Sequence, residues 1–299
     1  MDWQRIDPDC SEDALTALRE VASQHAITIV DLQTLLTALF PDADSNELQC
    51  RSAFATLDYS YFIAANSKRF GQTPLVRLCD DGAYRLTDEF RSMLEQTTFR
   101  TFFTDTVEAG LFNALALAES SRKHHIRQNH GFLYGEKYSV FDVMRLCGWP
   151  AEQVPQNVGG YKLDTETGSL PIFIKYEASQ YGDRFLNPGE IEWFSKNNRS
   201  LKSNEFRWLL DGTERTPEWQ NRHFVPIFIR RKAEEQEKSY YFVGSAVALD
   251  DVHASVNPGE DGSESKVVIS TLKLGKPVDS ELYRCLLYTS PSPRDRQKS

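Results

Sequence analysis

Four runs of β-branched and aromatic residues, PIFIKYE (171–177), FVPIFIRR (224–231), SYYFVGSAVAL (239–249) and KVVISTLKL (266–274), constrain the second half of this 299-residue chain. Runs of this kind, bounded by turn residues, suit the pleated and half-buried surface of a strand. The intervals between them are long enough to hold helices. The first 120 residues carry a different period. Leu15, Leu18, Val21 and Ala22 recur at helical spacing after Ser11, where a hydroxyl cap followed by Glu12 and Asp13 suits the positive end of a helix dipole. Helices are also predicted from Val30 to Phe40, stopped by Pro41, from Ser45 through Leu57, and around Val107 to Ser120. Between the last two lies PLVRLCDDGAYRLTDEF, two short β-like runs joined by Asp80, Asp81 and Gly82, with Thr87 placed to cap a following helix. The predicted fold class is therefore α+β: an N-terminal helical part with a winged-helix-like outline, then a mostly antiparallel curved sheet or open barrel.

The two parts also differ in charge. Residues 1–120 sum to −10, residues 121–245 to +2 and the remainder to −1, giving the total of −9. Acidity in the first part argues against a DNA-gripping winged helix and favours a structural connector. In the second part the cations cluster as Arg122, Lys123 and Arg127, then Lys196, Arg199, Lys202 and Arg207, then Arg230, Arg231 and Lys232. Such clusters serve either as solvated faces or as places to meet a phosphate backbone. The polar stretch SSRKHHIRQNHG reads as the boundary, dividing a connector at 1–120 from a recognition domain at 121–284. A helix opens the second domain, where Ser139 and Asp142 have capping-box spacing and Val140, Val143, Met144 and Cys147 fall on one face.

Several function classes are disfavoured. No apolar run approaches the ~20 residues of a membrane helix, and the start MDWQRIDPDC lacks the features of a signal peptide, so a cytoplasmic location is expected. Five cysteines without a CxxC pair indicate neither a disulfide framework nor a thiolate zinc site. His124, His125 and His130 have no HExxH spacing and no acidic partner, so no metal and no cofactor are expected. Gly275 and Lys276 fail as a phosphate-binding loop because Pro277 replaces the Ser or Thr. Lys175 has the strand-end position of a nuclease lysine, but Phe173 stands where a metal-binding carboxylate belongs. A binding module is favoured over an enzyme.

The densest mixture of polar and aromatic groups lies between Val158 and Arg207: GGYK (159–162), YGDRF (181–185) and EWFSKNNR (192–199). Rings offer faces to bases, cations meet phosphates, and Asn or Asp can read base edges, so the mixture suits nucleic acid. The same residues read equally well as structure. Trp193, Phe185 and Tyr161 are alternatively core residues, and Asp183 with Arg184 a surface ion pair.

At these residues a resemblance enters. The succession YSVFDVMRLCGW (138–149), QNVGGYKLD (156–164), LPIFIKY (170–176), YGDRFLNPGEIEWFSKNNRSL (181–201), VPIFIRR (225–231) and YYFVGSAV (240–247) resembles the uncharacterised C-terminal domain of bacterial DEAD-box helicases. Many of those helicases also carry a phospholipase-D-type nuclease. The resemblance spans roughly residues 100–284, and the preceding helices resemble the connector found before that domain. In better-understood members the domain is the target-recognition part of modified-cytosine-dependent restriction enzymes. It is similar in fold to the SRA/PUA-like modules that flip a modified base out of duplex DNA.

The resemblance implies a non-catalytic recognition module of a restriction or phage-defence helicase. Its implied partners are double-stranded DNA and upstream helicase and nuclease domains, with no membrane. A flipped base needs an aromatic sandwich, an acceptor for the cytosine amino group, and contacts that offset unstacking. Tyr161, Tyr181, Phe185 and Trp193 are the candidate stack, Asp183 the acceptor, and Lys196, Arg199 and Lys202 the backbone contacts; Lys162, Arg184 and Asn198 complete the candidate set. The alternative from another class is a protein-interaction domain that docks on and regulates the motor, and a third is a divergent nuclease. The motor and nuclease themselves are missing from this sequence, which reads either as a fragment or as a stand-alone reader. CLLYTSPSPRDRQKS (285–299) resembles adapter read-through at the ends of metagenomic translations and is expected to be a non-native tail; a native Ser/Pro tail is the alternative.

Overall fold

A computed structural model describes residues 12–41, 46–70, 73–123, 132–176, 182–211, 217–234, 236–258 and 264–287. The Ser11 cap, the histidines at 124, 125 and 130, Tyr181 and the tail beyond Leu287 lie outside the described residues. The chain forms two compact units: residues 1–134 with 140–154, and residues 135–139 with 155–299.

The first unit is helical. Its elements are α1 (Glu12–Gln24), α2 (Ile29–Leu39), α3 (Glu47–Leu57), α4 (Ala64–Phe70), the hairpin β1 (Val76–Leu78) and β2 (Tyr84–Leu86), α5 (Asp88–Glu95), α6 (Thr97–Lys123) and α7 (Val140–Leu146). Leu15, Leu18 and Val21 are buried, as their helical spacing predicts, in one cluster with Leu32, Leu36, Phe54, Phe90 and Leu111, and Ala22 packs partly buried against it. Thr87 caps α5 by accepting from the Phe90 amide. Thr28 caps α2 in a reciprocal box with Asp31, whose carboxylate accepts the Thr28 amide at 2.9 Å. The hairpin turns at Gly82, whose φ of +78° is the left-handed conformation that glycine adopts without steric cost. The helix expected around Val107 to Ser120 is part of the longer α6, and α4 has no counterpart among the sequence expectations.

α7 contributes the most polar contact of this unit. Its Arg145 lies fully buried against Asp13 of α1. Gly148 ends α7 at φ +77°, the left-handed stop common after a helix.

The second unit is built on a seven-stranded mixed sheet. Its elements are β3 (Lys137–Ser139), α8 (Pro155–Val158), β4 (Ile172–Tyr176), β5 (Arg184–Asn187), β6 (Glu190–Phe194), α9 (Asn204–Leu209), α10 (Pro217–Arg222), β7 (Pro226–Arg231), β8 (Ser239–Pro258), β9 (Glu264–Leu274) and α11 (Ser280–Leu287). The sheet order is β4-β7-β8-β9-β6-β5, with β3 also on β8. Among the strand pairs of the described residues, β4 and β7 alone run parallel. The fold is thus α+β, with the largely antiparallel curved sheet expected from sequence.

Curvature has a local cause. The 20-residue β8 pairs with β7 through Tyr241–Ser245 and with β9 from Ala246 onward. Register shifts between Ala246 and Ala248 and between Asp250 and His253 bend it, with Asp251 at φ +47° in the second. Bulges of this kind raise twist and curl a sheet, here into a half-barrel. Phe228, Phe242, Val243, Leu249, Val268 and Leu272 are buried along these strands. α11 is fixed by buried Leu286 and by Arg231, which donates to the Cys285 carbonyl at 3.1 Å.

Candidate nucleic-acid interface

Two adjacent glycines shape the loop that follows α8. Gly159 (φ +52°) and Gly160 (φ +93°) are both left-handed, a sequence of conformations costly for residues with a Cβ. The loop is tied to edge strand β4, because the Phe173 amide donates to the Gly160 carbonyl at 2.6 Å and Tyr161 bridges Ile172. Tyr161 thereby enters the core at 4% exposure, edge-on to Trp193 with ring centroids 5.0 Å apart. Its hydroxyl donates to Glu205 of α9 at 2.9 Å, and burial holds the phenol well above its ordinary pKa.

Lys196, just after β6, lies across the same loop. Its Nζ donates to the carbonyls of Val158 and Tyr161, both at 2.6 Å, and sits 4.6 Å from the centre of the Tyr161 ring. Burial lowers its pKa, helped by the charges of Arg199 and Lys162 and opposed by Glu205. Arg199 pairs with Glu205 at 2.9 Å.

Loop and helix enclose an open cleft of about 680 Å³. Lys162, Lys196, Arg199 and Arg207 bring cations to its wall, Asp164, Glu205 and Asp211 bring carboxylates, and Trp208 brings a half-buried ring. Trp208 is held by its backbone and by one edge: its carbonyl meets His223 Nε2 at 2.7 Å, and the two rings are T-shaped at 4.4 Å. His223 is locked in turn by Nδ1 on the Trp219 carbonyl at 2.8 Å. The supports of the cleft wall at Trp208 are hydrogen-bonded, and His223 and Trp219 are buried.

Of the residues singled out from sequence, Tyr161, Lys162, Lys196 and Arg199 converge on the cleft. The others are placed elsewhere. Trp193 is 2% exposed, between Tyr161 and Phe206, so it supports the wall and presents no face to a base. Tyr161 is a correction for the same reason. Phe185 packs on Tyr176 at 6.1 Å and Tyr283 at 5.1 Å. Asp183, expected as a free acceptor, takes the Phe194 amide at 2.8 Å and so joins β5 to β6. Burial raises its pKa to about 7, against the lowering effect of that amide and with a smaller push from Glu192. Arg184 is exposed and pairs with Glu192 at 3.0 Å. Asn198 is exposed at φ +60°, a conformation asparagine tolerates better than most residues, and Lys202 is exposed nearby.

Trp208, Asn204 and Glu205 were not singled out. NEFRWL is an ordinary amphipathic pattern, and nothing in it separates the ring that faces the cleft from the buried Phe206 and Leu209. Among the described residues no group of three His, Cys, Asp or Glu side chains is placed to hold a metal ion, and no helix is long and apolar enough to cross a membrane.

Fold and site together define an α+β domain with a curled sheet and a cleft lined by both cations and carboxylates. Residues 132–286, more than half of the chain, match the family described as "Domain of unknown function (DUF3427)", and the chain belongs to that family. Residues 13–118 match a second description, "Domain of unknown function (DUF8090)". Among solved structures, similarity extends to the SUVH5 SRA domain in complex with fully methylated CG DNA, at 11% identity over 49% of this chain and 92% of that one, with a TM-score of 0.31. The DNA modification-dependent restriction endonuclease AspBHI is similar at 15% identity over 52% of this chain and 45% of its own, with a TM-score of 0.29. The sulfur-binding and SRA domains of ScoMcrA with phosphorothioated DNA align at 13% identity over 91% and 87%, with a TM-score of 0.29. No curated protein sequence matches the chain.

Proposed function

We propose that the second unit is a DNA-binding target-recognition module, non-catalytic in itself, that reads modified cytosine for a helicase-containing restriction or phage-defence protein. The observation that carries this reading is the cleft, whose lining includes Lys162, Arg199 and Arg207 together with the half-buried ring of Trp208. Cations meet phosphates, and an aromatic ring accepts a base of any identity. The charge distribution agrees: residues 121–245 carry +2 in a chain whose first 120 residues carry −10. The six-block resemblance to helicase-borne recognition domains supports the wider assignment.

The test is binding of the whole chain to labelled duplexes of one sequence carrying cytosine, methylcytosine or hydroxymethylcytosine. The expected result is tighter binding to one modified form and a steep loss of affinity as salt rises. Binding that ignores the modification removes the reading of modified cytosine. No binding at low salt removes DNA altogether and leaves docking on a motor protein as the standing alternative.

A further inference from the structure

Lys196 stands in the cation cluster of the cleft, yet its ammonium is already committed. An ammonium has three donors. Two are taken by the carbonyls of Val158 and Tyr161 at 2.6 Å, and the charge faces the Tyr161 ring at 4.6 Å. The stem runs close to Gly159, where an added Cβ would lie 3.6 Å from Lys196 Cε. Backbone contacts add to this: the Lys196 amide donates to the Tyr161 hydroxyl at 3.3 Å, and that hydroxyl donates on to Glu205. The clamped segment contains two consecutive left-handed glycines, which without an external restraint have the widest conformational freedom of any residue. Lys162 follows directly after Tyr161 on the cleft wall.

We propose that Lys196 is a positioning residue and not a phosphate contact: by holding the carbonyls on either side of the glycine pair it fixes the 159–162 loop and brings Lys162 to DNA. The inference rests on the DNA-binding reading of the same cleft. It assigns Lys162 and Lys196 separate roles, contact and positioning, of which only the contact adds its own increment to the salt slope.

A double-mutant cycle on the full chain tests it, with Lys162→Met, Lys196→Met and the two combined, measured against one duplex over a series of salt concentrations. Each phosphate contact contributes about 0.9 to the slope of log K against log salt. Lys162→Met is expected to lower the slope by that amount. Adding Lys196→Met is expected to lower it no further, and the affinity losses are expected to be less than additive. Lys196→Arg, which keeps a cation and donors for both carbonyls, is expected to recover most of the affinity. Hydrogen exchange of peptides spanning 156–165, without DNA, is expected to quicken in Lys196→Met and not in Lys162→Met.

Slopes that fall by ~0.9 in each single variant and ~1.8 in the double identify Lys196 as a direct contact and overturn the proposal. Unchanged exchange in Lys196→Met also overturns it. A wild-type chain that binds no duplex at low salt overturns the DNA reading and this inference with it, and is distinguished from the other failures by the wild-type measurement alone.

Discussion

Arg145 and Asp13, 132 positions apart in sequence, form a bidentate ion pair with both side chains at 0% exposure: Nη1 to Oδ2 is 2.8 Å and Nη2 to Oδ1 is 2.9 Å. The parallel fork matches guanidinium to carboxylate, so each charge is neutralised where water cannot reach it. Removing one partner strands the other. Asp13→Asn or Arg145→Met is therefore expected to cost about 3–5 kcal/mol of unfolding free energy, whereas replacing both with apolar residues of similar volume costs much less. Urea unfolding followed by helical circular dichroism measures this; single variants within ~1 kcal/mol of wild type, the range of an exposed pair, contradict the burial.

Gly148 packs where α7 ends. A Cβ there would fall 2.8 Å from Leu48 Cβ and 3.1 Å from the Leu48 carbonyl carbon, at a φ of +77°. Left-handed backbone alone costs a non-glycine residue about 1–2 kcal/mol, and the contact adds to it. Gly148→Ala is expected to lower the melting temperature of the helical unit by several degrees. A melting curve that overlays on wild type counts against the close approach of α7 and α3.

Asp183 supplies a pH dependence with a definite sign. Burial raises its carboxyl from 3.8 to about 7 in the folded chain. A raised folded pKa means that the associated stability is fully present below the unfolded value near 4 and is lost as pH rises through 7. Relative to Asp183→Asn, which does not titrate, the wild type should lose stability between pH 4 and 7. Carboxyl chemical shifts followed through the same range locate the midpoint directly, and a midpoint near 4 rules the effect out.

Trp208 tests the cleft without disturbing its charge. Stacking of a base on an aromatic ring contributes about 1–3 kcal/mol, so on the proposed DNA-binding reading Trp208→Leu is expected to weaken binding by roughly 5- to 150-fold with an unchanged salt slope. Trp208→Phe, which keeps an aromatic face, should retain part of that affinity. Equal affinity for wild type and Trp208→Leu would place the base elsewhere.

Much of the fold was legible in the sequence because its causes are local. The four long strands announce themselves by composition, Thr87 by its position before DEF, and the hairpin by Asp81-Gly82. β5 and β6 are not legible, because RFLN is four residues long, EIEWF carries two carboxylates among its apolar residues, and the turn between them, Asn187-Pro188-Gly189, sits inside a stretch rich in apparent ligand groups. The candidate site was legible only in part. Lys162, Lys196 and Arg199 were found as cations, but cation spacing cannot show that two carbonyls converge on one ammonium. Tyr161 and Trp193 were found as aromatics, but which ring is core and which is wall depends on pairing across the sheet. The Arg145 and Asp13 pair leaves no trace at the level of pattern, since its partners are brought together only by folding.

The backbone enters the sheet unit at Gly135, returns to the helical unit at Val140 and re-enters the sheet unit at Pro155. No single cut separates the two. A cassette beginning at residue 132, where the DUF3427 match begins, would carry α7 away from α1 and leave Arg145 without its counter-charge. An excision at residue 132 therefore takes a helix of the first unit with it and strands a buried charge on each side of the cut.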